Sequence, residues 1–157
     1  MKPTTFTAFL ALFLGGLLLT GCGGNTDKQK REEVIFGKLE LSNGWARPAR
    51  EGQNSAAYLT ITNGTATDDT LEAVSSDAAS EVSIHRTEQN ADGTMSMAPA
   101  GPQAIKAGND LRLQAGGLHL MLEKVNRRLA AGDSLSLALE FSRVGTRQIT
   151  IPVRVSQ

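Results

Sequence analysis

The chain has 157 residues, with sixteen Lys plus Arg against sixteen Asp plus Glu and no net formal charge. That balance excludes the basic footprint of a nucleic-acid binder, and the length suits a leader followed by one domain of ordinary size. Side chains able to hold soft metals are scarce, at two histidines, four methionines including Met1, and one cysteine.

Residues 1–21 start with Lys2, contain no acid and carry an apolar run from Phe9 to Leu19 interrupted at Gly15-Gly16. The run is shorter than the ~20 residues a membrane-spanning helix needs, so the layout is that of an export signal. Leu19-Thr20-Gly21-Cys22 resembles a bacterial lipobox, in which the cysteine is diacylated and becomes the new N-terminus. Cys22 is therefore the expected lipidation site, and the expected location is the bacterial cell envelope, facing the periplasm and anchored to a membrane by lipid. Removing 21 of 157 residues leaves 136 and takes away only Lys2, for a mature charge of minus one. A lipidated Cys22 leaves no thiol for a disulfide, so the domain must rely on its core even in a compartment that permits disulfides. Residues 22–33 read as the lipidated cysteine and a flexible polar tether, with Lys28, Lys30 and Arg31 toward lipid headgroups. Residues 34–157 are the expected folded domain.

From Val34 the chain breaks into short alternating segments between turn residues. Tyr58-Leu59-Thr60-Ile61-Thr62 alternates before Asn63-Gly64, and Leu135, Leu137, Leu139 and Phe141 fall on one face. Ile149, Ile151, Val153 and Val155 do the same, with Pro152 marking an edge strand. Turn signals at Asp92-Gly93, Gly108-Asn109, Gly116-Gly117 and Gly132-Asp133 complete a pattern of about eight or nine strands, which predicts an all-β antiparallel sandwich with Greek-key connections. Residues 123–131 form the best helical window, and it is short. Asp68-Asp69 reads as a turn, Arg127-Arg128 as a solvated turn, and Trp45 and Tyr58 as aromatics that pack the sheet or sit beside a bound ion.

The chemistry concentrates between positions 85 and 121. In Leu118-His119-Leu120-Met121-Leu122-Glu123 the leucines share one face and His119, Met121 and Glu123 the other. A sandwich strand turns one face to the core, so His119 and Met121 project outward together, ~6 to 7 Å apart along the backbone. In Glu81-Val82-Ser83-Ile84-His85 the same phase puts Ser83 and His85 outward. A five-residue loop at 89–93 would pair Glu88 with Thr94 and set His85 opposite Met97, with Met95 on the same face as an additional candidate ligand or a core filler. Thioether and imidazole together suit Cu(I), whereas a blue-copper centre needs a thiolate that the domain lacks. No phosphate loop, Ser-His-Asp set or paired carboxylates stand out, and the expectation is a protein that is not an enzyme.

His85-Arg86, ten residues, Met97, twenty-one residues and His119-Leu120-Met121 resemble the H(M)-x10-M-x21-H-x-M signature of the periplasmic copper chaperones called PCu(A)C. Gly44-Trp45-Ala46-Arg47, Asp92-Gly93-Thr94-Met95-Ser96-Met97 and Gly116-Gly117-Leu118 are similar too, and the resemblance covers about residues 39 to 155. Arg86 stands where the signature allows an optional methionine, which leaves the four-ligand set intact. The resemblance implies a cupredoxin-like sandwich that holds one Cu(I) through His85, Met97, His119 and Met121 at an exposed site. It also implies a metallochaperone that carries copper to the CuA centre of cytochrome c oxidase, with an oxidase subunit or a Sco-type protein as partner; the chain itself is expected to be a monomer. Competing readings are a copper-buffering or storage lipoprotein, a metal-free sandwich that binds a protein partner, and a copper redox enzyme.

Overall fold

A computed structural model describes residues 34–36, by backbone alone, and 38–155. The expected signal peptide, Cys22 and the tether lie outside the described residues. The alternating segments become eleven strands: β1 (Val34–Phe36), β2 (Leu39–Ala46), β3 (Ser55–Asn63), β4 (Asp69–Ser75), β5 (Ala79–Gln89), β6 (Met95–Pro99), β7 (Gln103–Ile105), β8 (Asp110–Leu113), β9 (Leu118–Val125), β10 (Ser134–Phe141) and β11 (Gly145–Pro152). They form two sheets, one ordered β1-β2-β3-β9-β5-β6 with β8 also on β3, the other β11-β10-β4-β7. All the strand pairs are antiparallel. This is the antiparallel sandwich that the turn spacing predicts.

The core lies between the sheets. Leu59, Ile61, Leu120 and Leu122 face Leu135, Leu137, Leu139 and Phe141, each no more than 2% exposed. With no disulfide to help, stability rests on such contacts, and truncating one of these leucines to alanine costs about 2–5 kcal/mol. The 123–131 window is not helical: Glu123 to Val125 end β9, and Leu129 makes an isolated bridge to Ala49. Its apolar residues are held by strand partners, and tertiary contacts override a weak local preference. Pro152 does end an edge strand, but Val155 lies beyond that strand and is 66% exposed.

One irregularity decides which aromatic faces where. Asn43 has φ +57° and the β2–β3 register slips by one residue between Ser42 and Trp45. Without the slip, strict alternation would turn Trp45 inward with Leu39 and Leu41. The bulge instead buries Ala46 and sets Trp45 across from Tyr58 on the outer face. Gly44, inside the bulge, packs so closely on Ile151 of the opposite sheet that a methyl group there would overlap the isoleucine side chain.

Candidate metal site

The outer face of the larger sheet carries the residues singled out by the sequence. β5 lies directly beside β9, and the register pairs His85 with His119 and Ser83 with Met121. The imidazole centroids are 6.1 Å apart. Val82 and Ile84 on β5, and Leu120 and Leu122 on β9, turn the other way and join the core. Period-two phasing therefore places both histidines and Met121 on one face, as the alternation predicts.

The β5–β6 hairpin closes differently from the expectation. Asn90 N–H donates to Thr94 O at 2.8 Å, and Asp92 Oδ1 accepts from the Thr94 hydroxyl and N–H at 2.6 and 3.0 Å. These bonds make a tighter loop, so Glu88 faces Ser96 rather than Thr94, and His85 faces Pro99 rather than Met97. Met97 lies opposite Thr87, one diagonal step from His85. The shift is two residues, so Met97 keeps the face on which His85 lies. Hydrogen bonding by Thr94 also holds the Asp92 carboxyl below its usual pKa. Met95 faces Gln89, a further step away, and is 61% exposed.

The result is an imidazole pair with a thioether on either diagonal. Such diagonal neighbours are about 7–8 Å apart at the backbone, within reach of long side chains. His119, Met121 and Met97 line one open cleft of about 410 Å³, together with Tyr58, Thr87 and Arg47.

Burial across this set is uneven, so the site expected to be exposed is exposed on one side only. Met97 is 58% exposed on edge strand β6, whereas His119 is only 4% exposed. Tyr58 flanks His119 with centroids 6.4 Å apart, Trp45 stacks on Tyr58 at 4.6 Å, and the Arg154 guanidinium lies 5.2 Å from the Trp45 ring centroid. The bulge at Asn43 supplies the last part of this row, and Asn43-Gly44 was the sequence signal for it.

Hydrogen bonding prepares the imidazoles in different ways. His119 Nδ1 lies 3.0 Å from Gly117 O. A carbonyl oxygen only accepts, so this bond fixes the proton on Nδ1 and leaves the Nε2 lone pair for a ligand. His85 Nδ1 is buried with no hydrogen-bond partner, and so is Ser83 Oγ; no other side-chain atoms are in this position among the described residues. Leaving such a group unpaired costs about 1–3 kcal/mol. Among the described residues no three His, Cys, Asp or Glu side chains gather into a metal-binding group. The donors on this face are thus two imidazoles and thioethers, a neutral and soft set.

Comparison with solved structures places this architecture in one class, the all-β antiparallel sandwich of PCuAC domains. The apo PCuAC domain from PmoF1 is 25% identical, covers 80% of this chain and 100% of its own, and superposes with a TM-score of 0.68. The copper-bound PCuAC domain from PmoF2 is 21% identical, with 80% and 99% covered and a TM-score of 0.67. CuI-DR1885 from Deinococcus radiodurans, a solution structure, is 25% identical, with 71% and 76% covered and a TM-score of 0.54.

The chain belongs to the family described as "Putative lipoprotein LpqE-like", which it matches over residues 39–153. A protein of Leifsonia xyli subsp. xyli named "Putative lipoprotein" is 33% identical over 151 residues, covering 94% of this chain and 87% of that one. The protein is a lipid-anchored, periplasm-facing component of the envelope.

Proposed function

We propose that this protein is a non-enzymatic Cu(I) carrier of the envelope, holding one ion as cargo through His85, Met97, His119 and Met121. The observation that carries the reading is the direct cross-strand pairing of His85 and His119, with a buried, partnerless nitrogen on one ring and a fixed tautomer on the other. Two neutral imidazoles and two thioethers match the softness of Cu(I) and resist the oxidation that would threaten an exposed thiolate. The likeness to a copper-bound PCuAC domain supports copper as the ion, and that to CuI-DR1885 supports its Cu(I) state.

The uneven burial suits transfer. Met97, exposed on an edge strand, is the ligand an acceptor can displace first, while His119 keeps its hold from the floor of the cleft. Cytochrome c oxidase, at its CuA centre, is the proposed recipient, directly or through a Sco-type protein. Cys22 carries the lipid, and residues 23–33 tether the domain.

The test is competition for Cu(I) against a chromogenic chelator, with X-ray absorption on the loaded protein. One equivalent retained, with nitrogen and sulfur scatterers, is the expected result. A wild-type protein that retains no Cu(I) would eliminate the carrier reading, and retention without transfer to a CuA apo-domain would leave copper buffering as the function.

A further inference from the structure

A second feature lies at the end of the sandwich beyond Ala46, apart from the histidines and methionines. The segments after β2 and β9 meet in an antiparallel bridge between Ala49 and Leu129, with both N–H···O bonds made, at 3.0 and 2.9 Å. Arg50 and Arg128 each flank this bridge, one on either segment. Like charges brought to one cleft repel unless something neutralises them. Among the described residues neither guanidinium has a carboxylate partner, and the ion pairs are Lys106 with Asp68 and Arg112 with Asp110. Asp133, in the same loop region, holds the Ala130 N–H instead, at 2.8 Å. Both arginines line an open cleft of about 690 Å³ with Pro48, Leu129 and Val155. Two guanidinium side chains on one cleft with apolar walls match a phosphate carried on a less polar body.

The path of the chain says where that phosphate lies. β1 is antiparallel to β2, with Phe36 beside Leu39 and Val34 beside Leu41, so its N-terminal end points along β2 toward Arg47. The twelve residues from Cys22 to Glu33 reach at most about 40 Å. A lipid on Cys22 therefore keeps the domain within that distance of the bilayer, and the chain enters the domain from the arginine end.

We infer that Arg50 and Arg128 bind phosphates of anionic phospholipids in the membrane that holds the anchor, docking the sandwich by this end with Val155 and Pro48 against the headgroups. The inference rests on the lipid anchor and not on copper binding. Pro48 also lines the cleft that contains His119 and Met121, so docking holds that cleft beside the membrane surface.

Trp45, the only tryptophan, reports on this end of the molecule. The lipidated full chain, in vesicles of phosphatidylcholine with or without phosphatidylglycerol and bearing a headgroup-attached quencher, is read by tryptophan emission. Quenching should be stronger with phosphatidylglycerol and fall at high salt. Each arginine near an anionic surface shifts the docked population about fivefold, so Arg50→Ala with Arg128→Ala should lower it about 25-fold. The tether cations stay in place in that variant, and unchanged circular dichroism and Cu(I) retention show that fold and cargo site are intact. Equal quenching on both lipids, or a double variant that docks like the wild type, overturns the inference. Lipid-independent quenching combined with arginine-dependent binding of an acidic peptide would reassign the pair to a protein partner and overturn it as well.

Discussion

Asn63 and the Nδ1 atom of His85 are both shut off from water on the same sheet, and the fold treats them in opposite ways. Asn63, at the end of β3, is 0% exposed and fully bonded. Its Nδ2 donates to Thr67 O and Ile105 O at 2.9 and 3.0 Å, and its Oδ1 accepts from Thr65 N–H and hydroxyl at 3.1 and 2.7 Å. Asp69 nearby, 5% exposed, accepts at one oxygen from Thr70 N–H, the Ser142 hydroxyl and Arg143 N–H, tying the β10–β11 turn to the start of β4. His85 Nδ1 and Ser83 Oγ have no partner at all. Complete satisfaction marks a latch whose purpose is the fold, and incomplete satisfaction beside a second imidazole and two thioethers marks a place prepared for something else.

That contrast can be broken most directly at the cleft. His119→Ala should weaken Cu(I) retention by at least about 100-fold, since even supporting residues of metal sites contribute 10–100-fold. The same variant should unfold at nearly the wild-type temperature; a large fall in both would make His119 part of the latch class. Asn63→Ala should do the reverse. It strands the buried Ile105 carbonyl, for a loss of about 1–3 kcal/mol in denaturant unfolding with Cu(I) affinity unchanged.

The two exposed methionines sharpen the comparison further. Met97→Leu should lower Cu(I) affinity about tenfold, the low end of the range for residues around metal sites. Met95→Leu, one step farther along the edge strand, should leave it unchanged. Equal effects would mean that the hairpin shifts register on loading.

The smallest effect is acid sensitivity at the surface. Hydrogen bonding from Thr94 lowers the pKa of Asp92, from Lys106 that of Asp68, and from Thr62 that of Asp110, each from an ordinary value of 3.8. A carboxylate depressed by folding stabilises the native state above its unfolded pKa, and that contribution is lost as pH falls through the folded value. Hydrogen exchange at the Thr94 amide should therefore speed up, after correction for intrinsic rates, only as the pH drops below about 4. Asp92→Asn should remove that dependence.

Much of this arrangement was legible beforehand because it is local. Alternation in Leu118 to Glu123 fixes which side chains share a face, since successive Cβ atoms on a strand point to opposite sides. The same rule puts Ser83 with His85 and carries Met97 onto their face even though the hairpin closes two residues out of the expected register, because a slip of two residues preserves the face. Asp69 escaped for the opposite reason. A buried aspartate that ties one strand to a distant turn has the same local sequence as an exposed Asp-Asp turn, and its partners Ser142 and Arg143 lie more than seventy residues away.

By itself, then, the sequence determined the sandwich, the scarce donors and the face each occupies, because period-two geometry and residue chemistry are properties of short segments. Only the tertiary structure decided that β5 would lie against β9 and bring His85 to His119 across thirty-four residues, that one extra residue at Asn43 would turn Trp45 outward to Tyr58, and that Arg50 and Arg128 would line one cleft. Register and strand order come from the combined burial of many distant side chains, and no short window contains that sum.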